Sequence, residues 1–221
     1  MMPTSATPVT RPTDMTNRRA LMEQFFATPT TLPLSFVLDE TPIAGIPAAW
    51  QPVAMQRRLD ANLTETVSPG TDPRTGLHVR VECLIYHDYP VVEWVVWLTN
   101  NGQAATPILR DILIMDSVIS GSSPVLSHCN GDFYRAEGYT PQETPLVPGD
   151  TLTFAPNGGR PCDGAFPYYR LRFADGGLSL AIGWPAQWAA TFSGSSDGVC
   201  CAGQETTNLR LLPGKAFAPH A

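Results

Sequence analysis

Two runs of alternating apolar and polar residues, LHVRVECLIYHD (77–88) and VVEWVVWLTN (91–100), are joined at Tyr89-Pro90 and closed by the turn Asn100-Asn101-Gly102. Side chains alternate between the two faces of a strand, so this period of two commits the middle of the chain to an antiparallel pair. Val79, Val81, Cys83 and Ile85 alternate with Arg80, Glu82, Leu84 and Tyr86, so one face meets a core and the other is only partly wetted. Trp94 and Trp97, three apart on one strand, point to opposite faces, which places at least one of them in the core.

The same period runs along most of the chain. It predicts strands at 34–39, 107–116, 123–128, 151–155, 168–174, 178–184, 188–193, 198–204 and 207–212. Asp175-Gly176-Gly177 and Ser196-Asp197-Gly198 are tight-turn signals between four of them. Charged residues are 15% of the chain, against roughly 25% in an ordinary globular domain, and 22 residues are proline. Such a composition suits short strands and proline turns better than a helical bundle. No βαβ rhythm and no internal repeat is visible. The expectation is one all-β domain, a two-sheet antiparallel sandwich over residues 17–221, behind a disordered Pro/Thr-rich tail at 1–16. Asn17 is placed to cap a short N-terminal helix in RRALMEQFFA, whose Leu21, Met22, Phe25 and Phe26 form one apolar stripe for packing on the sandwich.

The net charge is −6, and the only basic runs are the pairs Arg18-Arg19 and Arg57-Arg58. That leaves no electrostatic footprint for nucleic acid or an anionic membrane. With no apolar leader and no run of 18 apolar residues, the expected compartment is the cytoplasm. The five cysteines, Cys83, Cys129, Cys162, Cys200 and Cys201, form no C-x-x-C pair and read as reduced thiols. A zinc site shared by His128, Cys129 and Cys162 lacks ligand spacing, and neither metal nor cofactor is expected.

Hydrolysis by a paired nucleophile and acid needs two carboxylates flanking the bond to be cleaved. The acids here do not supply an evident pair: the odd separation of Asp111 and Asp116 puts them on opposite faces of a strand, and Asp39-Glu40 reads as a turn. No G-x-S-x-G, H-E-x-x-H, P-loop or dinucleotide fingerprint occurs. Two loops stand out instead. SHCNGDFYRAEGYTPQE (127–143) and APNGGRPCDGAFPYY (155–169) combine amides, acids, glycines, an arginine and aromatics. That is the chemistry of sugar recognition, planar hydrogen bonding beside aromatic faces, although Asn-Gly and Asp-Gly also make plain turns. The expectation is that the loops lie side by side, with Asn130, Asp132, Tyr134, Arg160 and Asp163 forming one polar rim. Trp184 and Trp188 flank Pro185-Ala186-Gln187, where either packing in the core or stacking on a ligand suits them.

The ordered pieces LPLSFVLDE, YHDYPVVEWVVWLTNNG, TPILRDILIMD, HCNGDFYRAEGYTP, GGRPCDGAFPYYRL, IGWPAQWAA and AGQETTNLRLLPGK span about residues 30 to 214. Together they resemble the N-terminal supersandwich of family 36 glycoside hydrolases, the α-galactosidase group. The resemblance implies a galactose-mutarotase-like all-β supersandwich. It also implies that the catalytic aspartates lie in a (β/α)8 barrel C-terminal to this domain, beyond Ala221. The implied role is accessory: packing on that barrel and walling the pocket for an α-galactoside or related carbohydrate in the same subunit or a neighbour, within a homo-oligomer. Two other readings stand beside it. One is a stand-alone carbohydrate-binding module. The other is a mutarotase-like sugar epimerase, for which His78, His87 and His128 show no evident carboxylate partner in the sequence.

Overall fold

The computed structural model describes residues 12–131, 135–174, 176–194 and 197–218. Helix α1 spans Pro12–Phe26. Among the described residues sixteen strands follow it: β1 Ser35–Leu38, β2 Thr41–Ala44, β3 Met55–Arg58, β4 Leu63–Thr71, β5 Leu77–Tyr86, β6 Val92–Asn100, β7 Leu109–Ser120 and β8 Val125–His128 make the first half. The second half is β9 Gln142–Pro145, β10 Thr151–Phe154, β11 Tyr168–Phe173, β12 Gly176–Ala181, β13 Trp188–Ser193, β14 Asp197–Gln204, β15 Asn208–Leu209 and β16 Ala216–Phe217. All pairings among them are antiparallel.

A seven-stranded sheet runs β10-β13-β14-β7-β1-β2, with β15 also on β7. The layer over it is split in two, a five-stranded sheet β16-β6-β5-β4-β3 and a four-stranded sheet β12-β11-β8-β9. Each half encloses its own cluster. Leu34, Phe36 and Leu38 of β1 and its approach, with Ile112 and Ile114 of β7, meet Val79, Val81, Val96 and Leu98 of the five-stranded sheet. Met115 and Ile119 of β7, with Trp188, Ala190 and Phe192 of β13, meet Leu126, Tyr169 and Leu171 of the four-stranded sheet. Strand β7 therefore runs under both halves. Trp94 of β6 packs against both clusters and donates Nε1 to the Ile114 carbonyl at 2.8 Å. Trp97 lies on the other face, under the Arg80 guanidinium and bonded to Glu82, as its spacing from Trp94 predicts.

The helix begins at Pro12 rather than Asn17, which places 12–16 in regular structure and Asn17 in the helix interior. Proline suits a first turn, where its missing N–H is not needed. Phe25 is buried, and Phe26 meets the Trp94 ring edge-on at 5.4 Å, so the predicted stripe does dock on the sandwich, at the seam between its halves.

Asp111 and Asp116 are corrected as well. The register shifts twice along β7, once opposite Ser35–Val37 and once at Ala202/Gly203, and Asp111 sits at φ 52°. The first falls at Asp111 itself, and the second, between Leu113 and Met115, adds one residue and reverses the alternation once before Asp116. Both aspartates consequently point away from the core. Asp116 accepts from Ser35 Oγ at 2.5 Å and from the Cys201 thiol at 3.2 Å.

Candidate functional site

The two polar loops do lie side by side, at the end of the four-stranded sheet where β8 and β11 finish and start. Phe166 N–H donates to the Cys129 carbonyl at 3.1 Å, extending the β8–β11 ladder into the loops. Gly131, at φ 60°, donates its N–H to the Gly138 carbonyl at 2.8 Å, which ties Gly131 to the turn at 136–139. A Cβ added at Gly131 would sit 2.5 Å from the Cys162 carbonyl oxygen and 3.1 Å from the Phe166 ring. Only glycine permits both the left-handed backbone and that approach.

The second loop is held from beneath. Trp188 Nε1 donates to the Pro161 carbonyl at 2.9 Å, and Gln187 bonds the Pro156 carbonyl with its amide and accepts from Gly159 N–H at 3.0 Å. Asn157 N–H donates to the Asp163 carbonyl at 2.7 Å, closing 157–163 into a compact turn.

Asn130 is exposed and accepts from Gln142 Nε2 at 3.2 Å. Asp163 is half-buried in the second loop, and Arg160 is exposed. Asp132 and Tyr134 lie outside the described residues. The contact between Gly131 and Cys162 thus brings the neighbour of Asn130 against the neighbour of Asp163. Trp188 is corrected from candidate ligand platform to core: its exposure is 0%, because β13 turns it inward against Tyr169 and the loop backbone takes its N–H. Trp184 is half-buried and packs against the same cluster.

Sequence reasoning did not single out three aromatics at this edge. Phe166 and Tyr168 stack at 5.1 Å with an interplanar angle of 26°, and Tyr139 meets Phe166 edge-on at 5.5 Å. Tyr139 is 47% and Tyr168 58% exposed. The signal available was the run Phe166-Pro167-Tyr168-Tyr169, in which strand alternation must send one tyrosine outward while Tyr169 goes in.

The histidines are engaged elsewhere. His78 bonds Thr71 at 2.8 Å, His87 bonds Thr64 at 2.7 Å and His128 bonds Thr144 at 3.2 Å. His128 turns inward, 4.7 Å from the Phe154 ring, and burial lowers its pKa. It therefore faces away from any ligand set made with Cys129, whose position in the alternation is opposite. His78, lowered by burial and then by Arg80, lines an open cleft of about 520 Å³ with Trp50, Gln51 and Pro73. Among the described residues no acid lines that cleft beside it. Glu143, bonded to both Arg172 nitrogens at 2.9 and 3.0 Å, is held below the usual carboxylate range by that guanidinium. A carboxylate so placed stays ionised, the opposite of a general acid.

No family model and no curated protein matches the sequence. Solved structures do match. The GH36 α-galactosidase AgaA of Geobacillus stearothermophilus, in complex with stachyose, superposes with a TM-score of 0.64 at 14% identity over 86% of this chain and 29% of that one. The galactosidase domain of the α-galactosidase-sucrose kinase AgaSK gives 0.63 at 14%, covering 86% and 29%. The α-galactosidase from Lactobacillus brevis gives 0.63 at 12%, covering 86% and 28%. The chain spans under a third of the length of these enzymes, and at such identities the likeness is one of architecture. Its fold is that of the part of the family 36 α-galactosidases that it overlays.

Proposed function

We propose that this chain is the non-catalytic N-terminal domain of an α-galactosidase-like glycoside hydrolase. It packs on a catalytic barrel and helps shape a sugar pocket with the loops at 127–143 and 155–169. The single observation that carries the reading is the shared fold, which covers most of this chain and under a third of the enzymes. The engaged carboxylates support it. Asp116 is bonded to Ser35 and Cys201, Glu143 to Arg172, and Glu82 to Arg80 and Trp97. Each of these three does structural service, which is not the disposition of a nucleophile or an acid beside a scissile bond. A cytoplasmic setting and a homo-oligomer belong to the same reading. All five cysteines are unpaired, as a reducing compartment keeps them. No described helix is long and apolar enough to cross a membrane.

The experiment joins an assay to a locus. The purified chain should not turn over nitrophenyl α-galactoside, and the genomic sequence around its coding segment should encode a (β/α)8 barrel with two catalytic aspartates. Turnover that vanishes on mutating one of the chain's own carboxylates would overturn the reading. A locus without a barrel would overturn it in favour of a stand-alone module.

A further inference from the structure

We propose that Tyr139, Phe166 and Tyr168 form a stacking platform for the C–H face of a pyranose ring, so that the chain by itself binds neutral oligosaccharide at the loop end of the four-stranded sheet. The inference rests on the same two loops as the reading above but needs no barrel.

Three observations carry it. Tyr168 alternates with Tyr169, which is 3% exposed; strand geometry puts the second ring in the core and holds the first outside it. Phe166, stacked on Tyr168 and braced by Gly131, makes that outside ring part of a fixed surface rather than a loose side chain. Tyr139, at the end of the turn Ala136–Tyr139, stands at 82° to Phe166 and walls the stack from the other loop.

The border is the second point. Asn130 and Gln142 hold each other through one amide hydrogen bond, which orients both. The Asn130 amide hydrogens and the Gln142 carbonyl oxygen have no partner among the described residues. They offer donors and an acceptor to ring hydroxyls beside an aromatic face that suits C–H groups. Arg170, two residues from Tyr168 on the same strand face, is also exposed.

Size decides between a sugar and a protein partner. Fully exposed aromatic side chains contribute about 150 to 250 Å² each; with Tyr139 47% and Tyr168 58% exposed and Phe166 half-buried, the aromatic area falls well short of the roughly 600 to 800 Å² that each partner of a specific protein interface buries. One or two pyranose rings match the area and the mixture of apolar face and amide rim.

The test titrates the purified 221-residue chain with stachyose, maltotetraose and cellotetraose, read by calorimetry and by tyrosine difference absorbance. At least one probe should bind and perturb tyrosine absorbance. Tyr168→Ala should lower that affinity tenfold or more, Tyr168→Phe should keep it within twofold, and Tyr89→Ala, exposed between β5 and β6 of the other, five-stranded sheet, should leave it unchanged. Circular dichroism of each variant checks the fold. Binding by none of the three probes, undiminished binding by Tyr168→Ala, or equal loss in Tyr168→Phe overturns the proposal. A locus without a barrel would sink the accessory-domain reading and leave this titration as it is; a silent titration beside an encoded barrel would do the reverse.

Discussion

A histidine bonded to a threonine hydroxyl and packed on an apolar ring is stabilising only while neutral, and His128 is such a residue. Burial lowers its folded-state pKa below the ordinary 6.5, as it does for His78. The unfolded chain then binds more protons than the folded one as pH falls through that range, so stability is full above about 6.5 and declines below it. The thermal midpoint should fall between pH 7.5 and pH 5, and His128→Gln, which keeps a hydrogen-bonding group without the titration, should lose less over that interval. Glu143 acts in a separate window: its pKa is lowered from 4.5, so its contribution disappears only in more acidic solution. Cys83 and Cys200 stay inert throughout, since burial pushes both thiols up to about 12.

At the scale of elements, the contact between the loops turns on one backbone position. Gly131→Ala would force a side chain into the Cys162 carbonyl and the Phe166 ring while straining a left-handed residue, a loss of about 1 to 3 kcal/mol. Chemical denaturation should show that loss, and hydrogen exchange should show faster opening of the Phe166–Cys129 bond. The sequence foretold this neighbourhood because the loops break a firm alternation between strands that pair, β8 with β11. It misled where alternation itself is interrupted. Strand β7 carries two bulges, which no residue pattern announces, and so the faces of Asp111 and Asp116 came out differently. Strand β4 went unseen because LTETVSPGT carries Pro69 and Gly70, turn residues by habit. Proline is tolerated there because β3 pairs only with 64–67 and leaves that side of β4 without a ladder. The aromatic cluster escaped because Tyr139 comes from a different loop than Phe166 and Tyr168, and only tertiary contact unites them.

For the whole molecule, the split upper layer raises the question of whether two halves unfold separately. Strand β7 contributes Ile112 and Ile114 to one cluster and Met115 and Ile119 to the other, and Trp94 and Phe26 touch both. Neither half can lose its core without stripping the shared strand of its partners. A single calorimetric transition, with van't Hoff and calorimetric enthalpies in agreement, is the expected result; two resolved transitions would mean that β7 couples the halves weakly.

The same arrangement sets a schedule for a chain leaving the ribosome. Strands β3 to β6 are neighbours in sequence and in their sheet, so that meander can pair as it is made. Strand β7 has β1 waiting for it, but its other partner lies far downstream, with Cys201 opposite Asp116 across 85 residues. At synthesis rates of about 5 to 20 residues per second, that interval lasts roughly 4 to 17 s. Throughout it, one edge of an isoleucine-rich strand stands open, which makes this the stage at which a growing chain most needs a chaperone's shelter.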